Sequence, residues 1–395
     1  MRKNRIDELL TVYRDGLLHD TVPFWQRHAP DRECGGFMTF LAADGTVVST
    51  DKPVWVAGRV TWLFATLYNE VEQRPEWLEL ATHGIRFLEK HAFDTDGRMF
   101  YSLTRDGRPL RKRRYLFSES FGVMAFAAYS KASGDESAKK RARSIFELML
   151  RYYRTPGLLE PKLLPQTRQL KGLAMPMILL SISQELRRAD DHPLYAQEAT
   201  AAVNEIRKDF LKPEFKVLLE SVGPKGEFLD EPTGRTVNPG HAIEVSWFML
   251  QEARLRGGDD DLVKAALQIL DWSMEIGWDE QYGGLYYFRD CKGFPCEQYE
   301  HDMKLWWPHN EAIFATLLAH HMTGDAKYER WHAMLHDWAY AHFPDRKHGE
   351  WFGYLHRDGS ISSTLKGNMW KGPFHHPRMQ LYCWKLLEEM RAKAT

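Results

Sequence analysis

The 395-residue sequence predicts an all-α fold, an (α/α)6 barrel of six repeated helix pairs with short β-hairpin or loop insertions. Three observations predict it. A turn followed by a short aromatic or apolar run recurs six times, at a period of about 60 residues, which marks a repeat architecture. Amphipathic helices alternate with helices that are apolar nearly all round. The final helical segment, with Leu381, Trp384 and Leu387, reads as buried rather than as the polar cap an open solenoid needs.

The recurring unit stands at Gly35-Gly36-Phe37-Met38, Gly97-Arg98-Met99-Phe100-Tyr101, Gly157-Leu158-Leu159, Gly226-Glu227-Phe228-Leu229, Gly283-Gly284-Leu285-Tyr286-Tyr287 and Gly349-Glu350-Trp351-Phe352. Amphipathic helices precede these units near residues 4–27, 76–91, 136–153, 193–212, 258–277 and 325–342. Their charged faces read as solvent-facing. The helices that follow, near 58–71, 118–132, 172–187, 241–256, 308–322 and 376–392, are far more apolar and read as buried on all sides. Alternation of the two kinds implies two concentric rings. Asn238-Pro239-Gly240 and Pro308 stand where helix starts tolerate proline. One catalytic domain over 1–395 is expected.

Composition narrows the function. The chain carries 53 Lys+Arg against 54 Asp+Glu, so it shows no electrostatic footprint for nucleic acid or an anionic membrane. The basic run Arg111-Lys112-Arg113-Arg114 reads as a solvated loop. Cys34, Cys291, Cys296 and Cys383 fit no zinc or redox spacing. The first residues form no apolar signal segment, and the stretch Leu173–Ile182 is too short to span a bilayer. A soluble cytoplasmic protein with free thiols is expected. GxSxG, P-loop, GxGxxG and HExxH patterns are absent, which leaves nucleophilic hydrolysis, phosphoryl transfer, dinucleotide chemistry and a metal site without motif support. The 14 Trp, 16 Tyr and 21 Phe suit a cleft for sugars, whose C–H faces stack on rings.

Polar residues open each inner helix at one phase of the repeat: Arg59, Glu119, Lys171, His241, Glu311 and His375. Closure of the ring brings them to one end of the barrel, among Trp55, Trp306, Trp307 and Trp351. This is the candidate site. His241 and Glu244 lie at i and i+3, on one helix face, so the carboxylate is placed to fix the imidazole tautomer. At most one of His375 and His376 serves the site, because adjacent residues point in different directions. Arg59, opening a buried helix, needs a partner: a salt bridge to Glu119 or Glu311, or a developing oxyanion.

At these residues the chain resembles the N-acylglucosamine 2-epimerase family. The similarity is carried by Asn238-Pro-Gly-His-Ala-Ile-Glu-Val-Ser-Trp247, Asp302-Met-Lys-Leu-Trp-Trp-Pro-His-Asn-Glu-Ala312, Gly349-Glu-Trp-Phe-Gly-Tyr354 and Lys371-Gly-Pro-Phe-His-His-Pro-Arg378. The resemblance implies an (α/α)6 barrel and an acid–base pair, His241 and His375. It implies roles for Arg59 as the family's arginine, Glu244 as a supporting glutamate, Glu311 on a family motif and Arg378 in substrate binding. It implies epimerisation at C2 of N-acetylglucosamine or N-acetylmannosamine without a required cofactor. ATP, not consumed, is implied as an activator, with the loop Gly283–Gly293 as one place for it. A homodimer is expected. Related disaccharide epimerases carry another histidine in the third repeat, and no histidine occurs here between His91 and His192. The family commonly has an apolar residue where His376 stands. Three rival readings stand beside this one: an aldose–ketose isomerase or epimerase of another free sugar (mannose, glucose, cellobiose), a glycoside hydrolase using Glu244, Glu311 or Glu350, and a non-catalytic interaction protein.

Overall fold

The computed structural model describes residues 1–113, 115–161 and 163–393. The inner ring consists of α3 (Val54–Glu70), α5 (Phe117–Ser133), α7 (Ala174–Ala189), α10 (Pro239–Leu255), α12 (Trp306–Thr323) and α14 (His375–Lys393). The outer helices are α1 (Lys3–Asp15) with α2 (Val22–His28), α4 (Pro75–His91), α6 (Glu136–Arg154), α8 (Pro193–Glu205), α11 (Asp260–Gly277) and α13 (Ala326–His342). A short helix, α9 (Pro232–Arg235), lies in the fourth repeat. The outer helices expected near 4–27 and 193–212 are not continuous α-helices: α1 ends at Asp15 and α8 at Glu205. Each passes into a π-helical turn, at Gly16–Thr21 and Ile206–Phe210.

Neighbouring inner helices pack in chain order, α3 on α5, α5 on α7, α7 on α10, α10 on α12 and α12 on α14. The first helix packs on the last, α1 on α14, and Trp62 of α3 meets Phe374, just before α14, with ring centroids 5.1 Å apart, which closes the ring. Side chains fasten that seam. Tyr13 Oη meets His336 Nδ1 at 2.8 Å and His332 Nε2 at 3.0 Å. Trp25 Nε1 donates to Glu350 at 2.6 Å, and the Glu350 amide donates to Asp20 at 3.0 Å.

The inner helices are apolar on nearly every face because both faces are covered. In α5 the small residues Gly122, Ala125, Ala127 and Ala128 are all buried. Gly58 of α3 lets that helix approach α5 closely, for a Cβ there would stand 2.7 Å from the Phe121 carbonyl oxygen. Each large apolar side chain buried this way contributes about 2 kcal/mol against exposure.

The recurring turn has a physical cause in three repeats. Asp31, Asp279 and Asp345 each accept two backbone amides with one carboxylate oxygen. Each also binds a buried lysine, Lys52, Lys304 or Lys366, at 2.8–3.0 Å. The same lysines bond the carbonyls of Gly35, Gly284 and Gly349. Gly284, at φ +73°, faces Trp338, whose ring a Cβ would meet at 2.8 Å. The third repeat departs from the pattern. Its unit lies in a long loop before α7, with Leu158 and Leu164 exposed. Two- and three-stranded antiparallel ribbons, such as Lys52–Pro53 with Ser102–Leu103 and Pro109–Arg111, sit at the helix starts and wall one end of the barrel.

No helix among the described residues is long and apolar enough to cross a membrane. All four cysteines are free. Lys112 pairs with Asp94 and Asp96 at 2.6 and 2.7 Å, and Arg113 lies over Tyr101, so this part of the basic run is tied down locally. Arg114 lies outside the described residues.

Candidate active site

Eight of the residues predicted for the site line one cavity of about 590 Å3 at the ribbon end of the barrel: Trp55, Arg59, His241, Glu244, Trp306, Trp307, His375 and Arg378. That volume is in the usual range for small-molecule sites.

His241 is the third residue of α10. Asn238 caps the helix, its side-chain oxygen accepting the His241 amide at 3.1 Å, and Pro239 supplies the preset first-turn φ. The His241 Nδ1 stands 2.9 Å from Glu220 Oε1. An ionised carboxylate only accepts, so Nδ1 carries the proton and Nε2 is the reactive nitrogen. Burial works against the charged imidazole, but the charge of Glu220 and its hydrogen bond outweigh it, with Glu244 and Glu311 adding. The balance raises the His241 pKa above its ordinary value. The tautomer-fixing carboxylate is therefore Glu220, not Glu244 as the i, i+3 spacing suggested. Glu220 sits in the fourth-repeat ribbon, its amide donating to Thr236.

Glu244 serves a different partner. Its carboxylate accepts from Arg378 at 2.6 Å, and Arg378 also donates to Glu311 at 2.8 Å. Glu311 further accepts from Trp247 Nε1 at 2.7 Å and stands 2.6 Å from His375 Nδ1. His375 is thus oriented like His241, through Nδ1, with Nε2 free of hydrogen bonds among the described residues. Its electrostatics are opposite. Burial dominates, Arg59 and Arg378 repel a second positive charge, and Arg378 draws off the charge of Glu311. The His375 pKa falls well below its ordinary value. Both rings lie against Trp307, at 4.9 Å for His241 and 5.6 Å for His375 between centroids.

Arg59 forms no salt bridge with Glu119 or Glu311. Its guanidinium lies between the rings of Trp55, Phe121 and Phe374, at 4.4, 4.1 and 4.8 Å, a cation–π cradle. One long contact reaches the Trp370 carbonyl at 3.4 Å, and Nε has no partner among the described residues. Burial first, then repulsion from Arg378, lowers its pKa to about 9. A buried guanidinium without a carboxylate is poised to receive negative charge from a ligand.

Three predicted residues lie elsewhere. Glu119 is wholly buried, accepting from Arg98 at 2.6 Å and the Met99 amide at 3.0 Å, so it locks the second-repeat turn. Lys171 pairs with Glu205 at 2.8 Å and with Asp209, on the outer side of its ribbon. Trp351 stacks on Phe343 and His376, behind the cavity wall. His376 therefore faces away from the cavity, and His375 is the one of the pair that enters it. The glycines at 283 and 284 pack on Trp338, which accounts for them without an effector.

The Glu244, Glu311 and His375 ligand atoms lie within 4.8 Å of one another, close enough to hold a cation. Arg378 bonds both carboxylates and already supplies that positive charge. A metal in their midst would have to displace it.

The sequence matches the family described as N-acylglucosamine 2-epimerase over residues 35–377. The chain belongs to that family. Among curated members it is 35% identical to the N-acylglucosamine 2-epimerase of Bos taurus, covering 98% of this chain and 94% of that one. Against the enzyme of Homo sapiens it is 34% identical, over 98% and 92%. The cellobiose 2-epimerase of Bacteroides fragilis is more distant, at 24% over 93% and 96%. The family barrel is equally visible in solved structures. A cellobiose 2-epimerase from Spirochaeta thermophila superposes with TM-score 0.85 at 22% identity, covering 98% of each chain. A D-mannose isomerase superposes at 0.82 with 19% identity, covering 96% of this chain and 98% of that one. These two likenesses are of fold.

Proposed function

We infer that the protein is a carbohydrate epimerase that interconverts N-acetylglucosamine and N-acetylmannosamine by moving the proton at C2 of the open-chain sugar. The relatives named N-acylglucosamine 2-epimerase, matched along nearly the whole chain, support the substrate class. One structural observation carries the mechanism: two imidazoles, each anchored through Nδ1 by a glutamate, share a cavity with a guanidinium that has no counter-ion among the described residues.

Inversion at carbon needs a base on one face and an acid on the other. Environments that push two pKa values apart assign those roles. His375, held neutral, takes the C2 proton, and His241, held protonated, returns one to the opposite face. In the reverse direction the roles exchange. The electrons left at C2 move onto the aldehyde oxygen, and Arg59 binds the enolate there. The carbonyl itself acidifies the α-proton, so the chemistry requires no cofactor. ATP as a non-consumed activator and a cytoplasmic homodimer belong to the same reading. They are checked by assay with and without the nucleotide and by sedimentation.

The hydrolase rival loses support from charge pairing. Glu244 and Glu311 share Arg378, and buried Glu350 is bonded to Trp25 and Lys371, so none is a free acid beside a glycosidic bond. Incubation with N-acetylglucosamine, followed by proton NMR, tests the reading. Appearance of N-acetylmannosamine is expected. Its absence, with ketose formed from mannose, would instead establish an isomerase.

A further inference from the structure

The inner helices contribute unequally to the cavity. In ring order α3 stands opposite α10, and α14 opposite α7. The helices α3, α10 and α14 bring the charged groups Arg59, His241, Glu244, His375 and Arg378. Helix α7 brings none. Its cavity face is Ala174, Met177, Ile178, Ser181 and Ile182, positions spaced to share one side of a helix. Met124 of α5 and Phe248 of α10 extend this face, about two turns below the rim residues Phe117 and His241 of the same helices. The result is an apolar wall reaching the cavity floor, facing the His375 helix. Ser181 is its one polar side chain, and its hydroxyl makes no hydrogen bond with the described residues.

The mouth is different. Glu300, Tyr287 and Tyr354 line it from the ribbons and loops, offering hydroxyl and carboxylate partners. Resting on the two-histidine reading above, C2 lies between the imidazoles with its carbonyl toward Arg59. Two substituents of the open-chain sugar then remain, a polyhydroxyl tail and an acylated nitrogen. Hydroxyls placed on the apolar wall would lose water without gaining partners, at a cost. The tail therefore takes the mouth, and the acyl chain takes the wall, where burying methylene groups is favourable.

We propose that Met124, Met177, Ile178, Ile182 and Phe248 form the acyl subsite, that Ser181 bonds the amide, and that this wall sets which acyl length the enzyme accepts. Hydrophobic pockets distinguish ligands by one methylene at about tenfold or more, which sets the size of the effect.

The test compares kcat/KM for N-acetyl-, N-propanoyl- and N-butanoylglucosamine in the wild type and in Ile178→Phe and Met177→Ala. Filling the wall with Ile178→Phe is expected to lower the butanoyl-to-acetyl ratio about tenfold. Opening it with Met177→Ala is expected to raise that ratio. Because the two variants act in opposite directions, misfolding of either leaves the other as a readout. Variants that change all three substrates by one factor would overturn the proposal. So would a Met177→Ala enzyme whose ratio falls. Failure of the underlying function looks different: the wild type would then exchange the C2 proton of none of the three sugars.

Discussion

The two histidine sites are built from the same parts and set to opposite states. Each imidazole opens an inner helix, presents Nδ1 to a glutamate and leaves Nε2 to the cavity. At His241 the glutamate, Glu220, has no Lys or Arg bonded to it among the described residues, and its charge favours imidazolium. At His375 burial works hardest against the charged ring, Arg59 and Arg378 repel it, and the glutamate is shared with Arg378, so the neutral ring wins. The distance from ring to carboxylate is shorter at His375, 2.6 Å against 2.9 Å, yet its pKa is the lower one. A hydrogen-bond length alone therefore misjudges protonation, which burial and the surrounding charges decide together.

This contrast can be broken at either end. Removing a ring has the largest effect: His375→Asn or His241→Asn should each lower kcat for epimerisation by about 10³-fold or more, measured from initial rates. Next comes Glu311→Gln, which frees Trp247, His375 and Arg378 together. Leaving buried Arg378 with one carboxylate should cost about 3 kcal/mol of stability in denaturant unfolding, with kcat down about 10²-fold. Glu220→Gln should act only on the His241 side, lowering kcat about tenfold. With the carboxylate charge gone, imidazolium is less favoured, so the alkaline limb of the pH–rate profile moves to lower pH. An unmoved limb would assign the acid to another group.

The smallest effect concerns stability. Burial holds His336 at about 4 and His309 and His376 at about 3, against about 6.5 unfolded. Below that value the unfolded chain binds more protons, so this stability is complete above pH 6.5 and falls as pH drops toward 3. His376→Phe keeps a ring against Trp351 and should retain activity. It should also remove about 1.4 kcal/mol per pH unit from the acid slope of the unfolding free energy. An unchanged slope would mean His376 is protonated in the fold.

The barrel was legible because its cause is periodic. Apolar positions all round a helix, repeated at fixed phase beside glycine turns, leave few other ways to bury them. Phase also brought Arg59, His241 and His375 to one end. It could not tell which side chains turn inward. Glu119 and Lys171 share the phase but are claimed by Arg98 and by Asp209 with Glu205, while Trp351, from the sixth turn unit, stacks on His376. Local spacing paired His241 with Glu244, whereas the fold pairs Glu244 with Arg378, 134 residues away. Glu220 left no signal, since its contact with His241 arises only when the fourth ribbon folds over the start of α10. Helix α7 read only as an apolar inner helix, and nothing in the sequence said that its Met177, Ile178 and Ser181 face meets the cavity.

The central claim is that two bases of unlike protonation work on opposite faces of C2. Hydrogen exchange at C2 in D2O tests it most directly, with each pure epimer given to wild type, His241→Asn and His375→Asn. The account predicts deuterium at C2 of the epimerised product in the wild type. It also predicts that each variant exchanges the C2 proton of one epimer only, without inversion, and that the two variants prefer different epimers. Equal exchange of both epimers by one variant, or inversion without deuterium uptake by the wild type, would contradict it.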